Sequence, residues 1–294
     1  MSSMVEVCGL KKMFGKFQAL EDVTFSLNEG EVLGFIGPNG AGKSTTIRVL
    51  LGSIRASGGS ATIFGKDVWK DKNEIHKHIS YVPGDVALWG SLSGEEIIRL
   101  LMKLHGGGNE ARLKTLVERF ELDTKKKAKT YSKGNRQKVG LVAALAVESD
   151  LYIFDEPTSG LDPLMEMVFQ EEVGRLRQEG KAVLLSSHIL SEVDKLANQV
   201  AIIRAGRVVE TGSLSDLRHL THSKVTLVSE GDARALANLE GVFDFVQKGQ
   251  EATFSVEPAA MARVLGEVSK LGVTRFDAVP PTLEDLFMRH YERE

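Results

Sequence analysis

The chain has 294 residues, 42% of them hydrophobic and 26% charged, a composition typical of a soluble globular protein of one or two domains. Its net charge of −3 gives no electrostatic reason to expect a nucleic-acid partner. The single cysteine, Cys8, excludes an intramolecular disulfide, and its apolar neighbours predict a buried structural thiol. No apolar run approaches the ~18 residues that a membrane-spanning helix requires.

Predicted strands and helices alternate through most of the chain, which indicates an α/β fold. The strands are predicted over residues 4–9, 23–27, 31–36, 60–64, 79–82, 151–154, 182–186, 200–203 and 207–210, and the helices over 46–51, 93–104, 112–120, 135–147 and 163–178. A different pattern follows, with strands predicted at 223–229, 243–247, 252–256 and 273–277 and helices at 232–239, 258–271 and 282–291. This last part is predicted to be a small α+β domain.

The stretch after the predicted strand 31–36 fits the pattern G-x-x-x-x-G-K-[ST] of a phosphate-binding loop. It comprises Gly37, Pro38, Asn39, Gly40, Ala41, Gly42, Lys43, Ser44 and Thr45, and it is followed by Thr46. Glycines let backbone N–H groups turn towards phosphate oxygens, and the helix N-terminus adds partial positive charge. Lys43 is expected to contact the β- and γ-phosphates, and the Ser44 hydroxyl to bind Mg²⁺. A chance glycine-rich turn is the alternative, but the strand–loop–helix context favours nucleotide binding.

Two carboxylates, Asp155 and Glu156, directly follow the predicted strand 151–154. The carboxyl end of a parallel strand faces the ligand crevice of an α/β sheet. Asp155 suits the outer coordination shell of a Mg²⁺ ion held by Ser44, and Glu156 could orient or deprotonate the water that attacks a γ-phosphate. Without the phosphate loop, a solvated strand end would explain both residues equally well.

A third motif, Tyr-Ser-Lys-Gly-Asn-Arg-Gln over residues 131–137, lies at the start of the predicted helix 135–147. Ser132 and the Gly134 N–H could form an anion site at this helix N-terminus, with a plain N-cap as the alternative. Phe14, upstream of the phosphate loop, could stack on an adenine face or pack against its neighbours.

Together with Asp-Glu-Pro-Thr-Ser-Gly-Leu-Asp at 155–162 and Ser-His at 187–188, these motifs resemble the ATP-binding cassette (ABC) ATPases. The resemblance extends from residue 4 to about residue 215. It implies ATP and Mg²⁺ as cofactors, with residues 37–45 as the Walker A loop and 155–156 as the end of Walker B. The other implied site residues are the signature Ser132, Lys133, Gly134 and Asn135, the D-loop Asp162, the switch histidine His188, which contacts the γ-phosphate, and the adenine-stacking Phe14.

The same resemblance implies a P-loop NTPase (RecA-like) core with an N-terminal antiparallel β-subdomain and a helical insertion at about 86–135. This nucleotide-binding domain would span residues 1–220, and an accessory α+β domain would span 221–294. The family pattern implies two cassettes, this chain and either a second copy or a paralogue, with each ATP held between them. It also implies a separate transmembrane permease subunit and a position at the cytoplasmic face of the cell membrane.

Two departures from the family pattern indicate a particular branch. The signature begins Tyr-Ser-Lys-Gly-Asn instead of Leu-Ser-Gly-Gly-Gln, and Gly84-Asp85 stands where the family carries a glutamine. Asp85 is therefore a hypothetical substitute for the residue that senses Mg²⁺. Both departures, and the C-terminal sequence, are similar to type-2 ABC exporters, which include bacterial drug and antibiotic pumps.

We therefore predict an ATP-hydrolysing exporter subunit that contacts its membrane partner near residues 86–89, where an exposed Trp89 would suit an interface. One alternative is a non-transport ABC ATPase of repair or translation, but the chain has neither a long coiled-coil insertion nor a second cassette. The other alternative is a nucleotide-gated regulatory module without turnover. The carboxylate Glu156 argues against that second alternative.

Overall fold

A computed structural model describes residues 3–219 and 222–279 of the chain. The chain divides into two compact units, Met1–Thr211 and Gly212–Glu294. The helix predicted over 282–291 lies outside the described residues. Within the two described ranges, no helix combines the length and the apolar character needed to cross a membrane.

A large mixed sheet forms the centre of the first unit. Its strands are β1 (Ser3–Phe14), β2 (Phe17–Asn28), β3 (Val32–Ile36), β4 (Gly58–Ile63), β5 (Lys66–Asp67), β6 (Ile79–Val82), β7 (Leu151–Asp155), β8 (Ala182–Ser187), β9 (Gln199–Arg204) and β10 (Arg207–Ser213). They lie side by side in the order β5-β4-β1-β2-β10-β9-β3-β8-β7-β6. The α-helices of this unit are α1 (Lys43–Leu50), α2 (Lys72–Ile75), α3 (Gly94–Leu104), α4 (Glu110–Arg119), α5 (Lys133–Leu145), α6 (Pro163–Gln178) and α7 (Leu190–Leu196).

The parallel half of the sheet positions the predicted site. Strand β3 pairs in parallel with β8 and β9, β8 pairs with β7, and β7 pairs with β6. Every residue of β3, β7 and β8 is buried, as expected for short apolar strands with both faces covered. Because parallel strands end at the same edge, the loops that follow β3, β7 and β8 emerge next to one another.

The antiparallel half of the sheet contains β1, β2, β4 and β5. Strand β1 alternates between buried and exposed side chains, with Val5 and Val7 in the core. Cys8 falls on the opposite face and is exposed, so the predicted buried thiol is wrong. The apolar run around Cys8 concealed the two-residue period that places its side chain in solvent.

The helical insertion contains α3 and α4, and both pack against α5, which also contacts strand β6 of the core. Helix α3 begins with a capping box, in which the Ser93 hydroxyl accepts from Glu96 N and the Glu96 carboxylate accepts from Ser93 N. Helix α4 is joined to α6 through Glu172, a fully buried carboxylate of α6 that forms ion pairs with Arg112 and Arg119 of α4. Arg175 of α6 approaches the same carboxylate, with its Nε 3.1 Å from Oε2.

The second unit is a four-stranded antiparallel sheet with α8 (Leu214–His219) and α9 (Met261–Val268). Its strands are β11 (Ser223–Ser229), β12 (Val242–Lys248), β13 (Glu251–Val256) and β14 (Val273–Val279), in the order β12-β13-β11-β14. One face of the sheet forms a core with α9, in which Leu227, Phe254 and Val264 are buried.

Two predicted helices of this unit are shorter in the structure. The segment predicted as a helix over 232–239 forms only a 3₁₀ helix at Arg234–Asn238. Leu236 in this helix and the flanking Ala233 and Leu239 are apolar residues three positions apart. This is the spacing that aligns side chains in a 3₁₀ helix. The helix predicted over 258–271 is α9, preceded by a 3₁₀ helix at Pro258–Ala260.

Candidate active site

The phosphate loop leaves the end of β3 and enters α1 at Lys43. Gly40 and Gly42 have φ angles of 82° and 114°, which side chains other than glycine rarely adopt. A Cβ atom on Gly37 would lie 2.3 Å from the carbonyl oxygen of Ile203, so this position has no room for a side chain. The loop therefore requires its glycines both for its turns and for its close approach to β9.

Lys43 is folded back into the phosphate loop and is only 5% exposed. Its Nζ donates to the carbonyl oxygens of Gly37 and Pro38, at 2.7 and 3.2 Å. Burial lowers the pKa of Lys43, while the negative charges of Glu156 and Asp155 act in the opposite direction. The ammonium group is thus held at the loop by two backbone carbonyl groups.

The carboxylates at the end of β7 are oriented by the neighbouring strand β8. The Ser186 hydroxyl donates to Asp155 Oδ1 at 2.5 Å, and the Glu156 N–H donates to the Ser186 carbonyl at 3.1 Å. Glu156 has a φ of 50°, a conformation that costs a non-glycine residue of order 1–3 kcal/mol and is concentrated at functional sites. The strained backbone turns the chain sharply just after the strand, and the Glu156 side chain faces Lys43.

Glu156 brings three of the predicted site residues together. Its Oε1 lies 3.7 Å from Nζ of Lys43 and 3.2 Å from Nδ1 of His188. His188 follows β8, so the three side chains come from the loops after β3, β7 and β8. They form one cluster at the carboxyl edge of the parallel strands.

The signature residues lie against the D-loop of the same chain. Ser132 is the N-cap of α5 and accepts from the Asn135 N–H at 3.2 Å. Lys133 Nζ donates to the Ser159 hydroxyl at 2.7 Å. A Cβ on Gly134 would lie 2.3 Å from the Gly160 carbonyl, so only glycine allows this approach. Among the described residues, no hydrogen bond or ion pair joins this segment to the phosphate loop.

Asp162, the last residue of the predicted D-loop, is the N-cap of α6, and its Oδ1 accepts from the Met165 N–H at 3.0 Å. Its other carboxylate oxygen lies 4.0 Å from Lys138 Nζ. The side chain therefore has a structural role in this conformation.

The other predicted residues differ in accessibility. Phe14 is 48% exposed at the end of β1, and Lys12 Nζ lies 4.9 Å from its ring centroid. The buried Thr46 hydroxyl donates to the Gly42 carbonyl at 3.0 Å and so holds the phosphate loop. Asp85 is exposed, and Gly84 before it lies so close to the Asp155 carbonyl that a Cβ would be 3.1 Å from it.

The site residues fit a Mg²⁺–nucleotide. The start of α1 provides the backbone N–H groups of a helix N-terminus, which favour phosphate oxygens, and the Lys43 ammonium lies at the same loop. No group of three or more His, Cys, Asp or Glu side chains that could hold a metal occurs within residues 3–219 and 222–279. Ser44, Asp155 and phosphate oxygens would suffice for a Mg²⁺ site, because Mg²⁺ usually takes only one or two carboxylates from the protein.

Three polar residues beside the site were not predicted. Thr158, Ser187 and Glu192 are buried and joined by hydrogen bonds. Thr158 and Ser187 lie within the motifs at 155–162 and 187–188, but Glu192 lies in neither, and the contact of Thr158 with Glu192 spans 34 positions. Sequence spacing alone could not reveal such a contact.

Comparison with known proteins finds a family match in each of the two units. A family model described as "ABC transporter" matches residues 20–159, and a model described as "ATP-binding protein DrrA1-3-like, C-terminal domain" matches residues 212–291. The daunorubicin/doxorubicin resistance ATP-binding protein DrrA of Streptomyces peucetius is 32% identical, covering 97% of this chain and 91% of its own length. The bacitracin transport ATP-binding protein BcrA of Bacillus licheniformis is 29% identical over 98% of this chain and 97% of its own. A solved ATP-binding subunit of an ABC transporter superposes with a TM-score of 0.68 at 34% identity, covering 74% of this chain and 92% of that one.

These matches confirm the predicted α/β fold class and the resemblance to type-2 ABC exporters. They favour a transport ATPase over the non-transport alternatives, because the drug and antibiotic relatives match along nearly the whole chain. The chain belongs to the ATP-binding proteins of the ABC transporter family, in the group that carries a DrrA-like C-terminal domain.

Proposed function

We propose that the chain hydrolyses ATP and that this reaction drives export by a separate transmembrane permease subunit. The convergence of Lys43, Glu156 and His188 at the end of the parallel strands carries the proposal. This cluster combines a cation for phosphate oxygens, a carboxylate for the attacking water and an imidazole in one place. A regulatory module that only binds a nucleotide has no need for the carboxylate.

Each residue has a separate part in the proposed reaction. Lys43 and the backbone N–H groups of the phosphate loop bind and orient the β- and γ-phosphates. Ser44 and Asp155 hold Mg²⁺, with Asp155 acting through water, and the ion supplies charge neutralisation at the phosphate oxygens when it is bound. Glu156 orients the water and accepts its proton, and His188 contacts the γ-phosphate. Phe14 stacks on the adenine.

Ser132, Lys133, Gly134, Asn135 and Asp162 are proposed to act on the nucleotide of a second cassette. The support comes from Lys133 and Gly134, which approach Ser159 and Gly160 of their own chain, while the described part of the chain shows no polar contact of residues 132–135 with the phosphate loop. Ser132 is exposed at the N-terminus of α5, where partial positive charge favours an anion. A second copy of this chain or a paralogue would complete each ATP site.

The surface near Trp89 is the proposed contact with the permease. Trp89 is 52% exposed, and a cavity of about 270 Å³ beside it lies between the helical insertion and the core. Val86 and Leu88 from the loop after β6, Leu101 of α3 and Ala144 of α5 line it. An exposed tryptophan beside an apolar groove is a suitable anchor for a protein partner. Through such a partner the chain would lie at the cytoplasmic face of the membrane.

The transported compound is proposed to be a drug, an antibiotic or a lipid-like molecule. The support comes from the relatives, one of which is a daunorubicin/doxorubicin resistance protein and another a bacitracin transport protein. Screening such compounds for stimulation of ATPase activity in the purified complex with its permease would identify the substrate.

The decisive experiment compares ATP turnover in the wild type, Glu156→Gln and a matched control, Glu148→Gln, whose side chain is exposed. Loss of a general base lowers kcat by about 10²–10⁴-fold, so Glu156→Gln should bind ATP with little turnover, whereas Glu148→Gln should behave as the wild type. ATP binding without hydrolysis in the wild type would favour the regulatory module instead. Normal steady-state hydrolysis in Glu156→Gln would refute the assignment of the base.

A further inference from the structure

A buried carboxylate outside the predicted site joins the two loops that carry Glu156 and His188. The Thr158 hydroxyl lies 2.9 Å from both carboxylate oxygens of Glu192, in the first turn of α7. The Ser187 hydroxyl donates to Glu192 Oε2 at 3.1 Å. Thr158, Ser187 and Glu192 are 7%, 2% and 8% exposed, so this contact is shielded from solvent.

Two glutamates are buried among the described residues, Glu172 and Glu192, and they differ in their partners. Glu172 is surrounded by arginine side chains, whereas the side-chain hydrogen bonds of Glu192 come from two hydroxyl groups. Burial raises the pKa of Glu192, and the hydrogen bonds from Thr158 and Ser187 act in the opposite direction. Burying a carboxyl group that accepts hydrogen bonds from hydroxyl groups, without a cation such as those around Glu172, is costly, which indicates a role beyond packing.

The positions of the two hydroxyls in the chain suggest that role. Thr158 lies two residues after Glu156, and Ser187 directly precedes His188. The Ser187 oxygen also accepts from the Ile189 N–H at 2.9 Å, so it holds the backbone on both sides of the histidine. Glu192 therefore ties the loop after β7 to the loop after β8, at the point where Glu156 and His188 meet.

We propose that Glu192 is a positioning residue that holds the Glu156 and His188 loops in the arrangement required for hydrolysis. It acts through its hydrogen bonds to Thr158 and Ser187. The proposal rests on the proposed ATPase function. Glu192 should therefore affect the rate of the chemical step and not the affinity for the nucleotide. The reason is that its hydrogen bonds lie on the side of Glu156 and His188 and do not involve the phosphate loop.

The test measures steady-state ATPase kinetics and ATP binding of the full chain carrying Glu192→Gln, which keeps the shape of the side chain. Misplacing a reacting group by a fraction of an ångström to 1 Å costs up to about 100-fold, so kcat should fall by about 10–100-fold. KM and the Kd for ATP should stay within about twofold, since the phosphate contacts are untouched. Ser191→Ala, an exposed neighbour in α7, is the control and should retain wild-type kcat.

Thr158→Val provides a second variant if Glu192→Gln lowers the melting temperature. It removes one hydroxyl at nearly constant volume, and the same fall in kcat at an unchanged melting temperature would support the proposal. The double variant should be no slower than the slower single variant, because both changes break one connection.

Two results would overturn the positioning role while leaving the proposed ATPase intact. One is a kcat within about twofold of wild type in both single variants, and the other is a loss of ATP affinity as large as the fall in kcat. Absence of turnover in the wild-type chain would overturn the proposed function and this inference together.

Discussion

The ion-pair cluster between the helical insertion and the core predicts the largest stability effect in the first unit. Glu172 of α6 is fully buried and faces Arg112 and Arg119 of α4 and Arg175 of its own helix. Burial, and after it the charges of Arg175 and Arg119, lower the pKa of Arg112 to about 10. Replacing Glu172 by glutamine removes the negative charge at nearly constant volume and leaves the arginines facing one another.

The size of the effect follows from burial. Removing one partner of a buried ion pair costs about 3–5 kcal/mol. The three arginine side chains are 18–31% exposed and can recover some hydration, so we expect the lower end, about 3 kcal/mol. For a unit of about 200 residues, that loss lowers Tm by roughly 6–12 °C.

Urea unfolding of Glu172→Gln, followed by tryptophan fluorescence, measures this loss in the relevant unit, since Trp69 and Trp89 both lie in it. Glu171→Gln is the matched control, because Glu171 pairs with the same Arg119 but is 64% exposed. An exposed pair contributes at most about 1 kcal/mol. If the two variants lost the same free energy of unfolding, or if Glu172→Gln lost less than about 1 kcal/mol, the cluster would not hold α4 to the core.

Three further predictions concern the site and the partner surface. Phe14→Ala should raise the Kd for ATP by about 5–150-fold, the value of one stacked base, in an equilibrium titration, with Phe17→Ala as the exposed control on the same hairpin. Trp89→Ala should reduce co-purification with the permease at an unchanged melting temperature, and equal recovery of the complex would exclude the Trp89 groove as the contact. If Asp85 replaces the missing glutamine, Asp85→Ala should slow both hydrolysis and transport; unchanged rates would remove that hypothesis.

Elements with strong local signals could be predicted from the sequence almost to the residue. Strands β6 and β11 and helix α6 have the predicted limits, because apolar runs or a cap with a following proline mark them. Strand β1 was predicted to end at residue 9 but continues to Phe14. Register shifts against β2 interrupt its alternation of buried and exposed residues, so the sequence pattern breaks while the pairing continues.

The candidate site also has a part that could be predicted from the sequence and a part that could not. The contact of Lys43, Glu156 and His188 follows from placing their motifs on adjacent parallel strands, which the sequence permits. Helix α7 was not predicted, because its seven residues are too few to show a clear helical period beside the switch histidine. Because this helix is not evident from the sequence, the sequence does not show which way the Glu192 side chain faces. Its contact with Thr158 could be found only from the fold.

The same contacts form three groups of side chains between the signature segment and the phosphate loop, and the peptide bonds 158–159 and 187–188 join one group to the next. The pairs are Lys133 with Ser159, Thr158 with Glu192, Glu192 with Ser187, His188 with Glu156, and Glu156 with Lys43. Residues 155–162 belong to both ends of this set, since they begin with the proposed base and end with the cap of α6. In the proposed dimer, Lys133 and Gly134 would therefore connect the segment that faces the nucleotide of the second cassette with the loop that carries Glu156 of their own cassette.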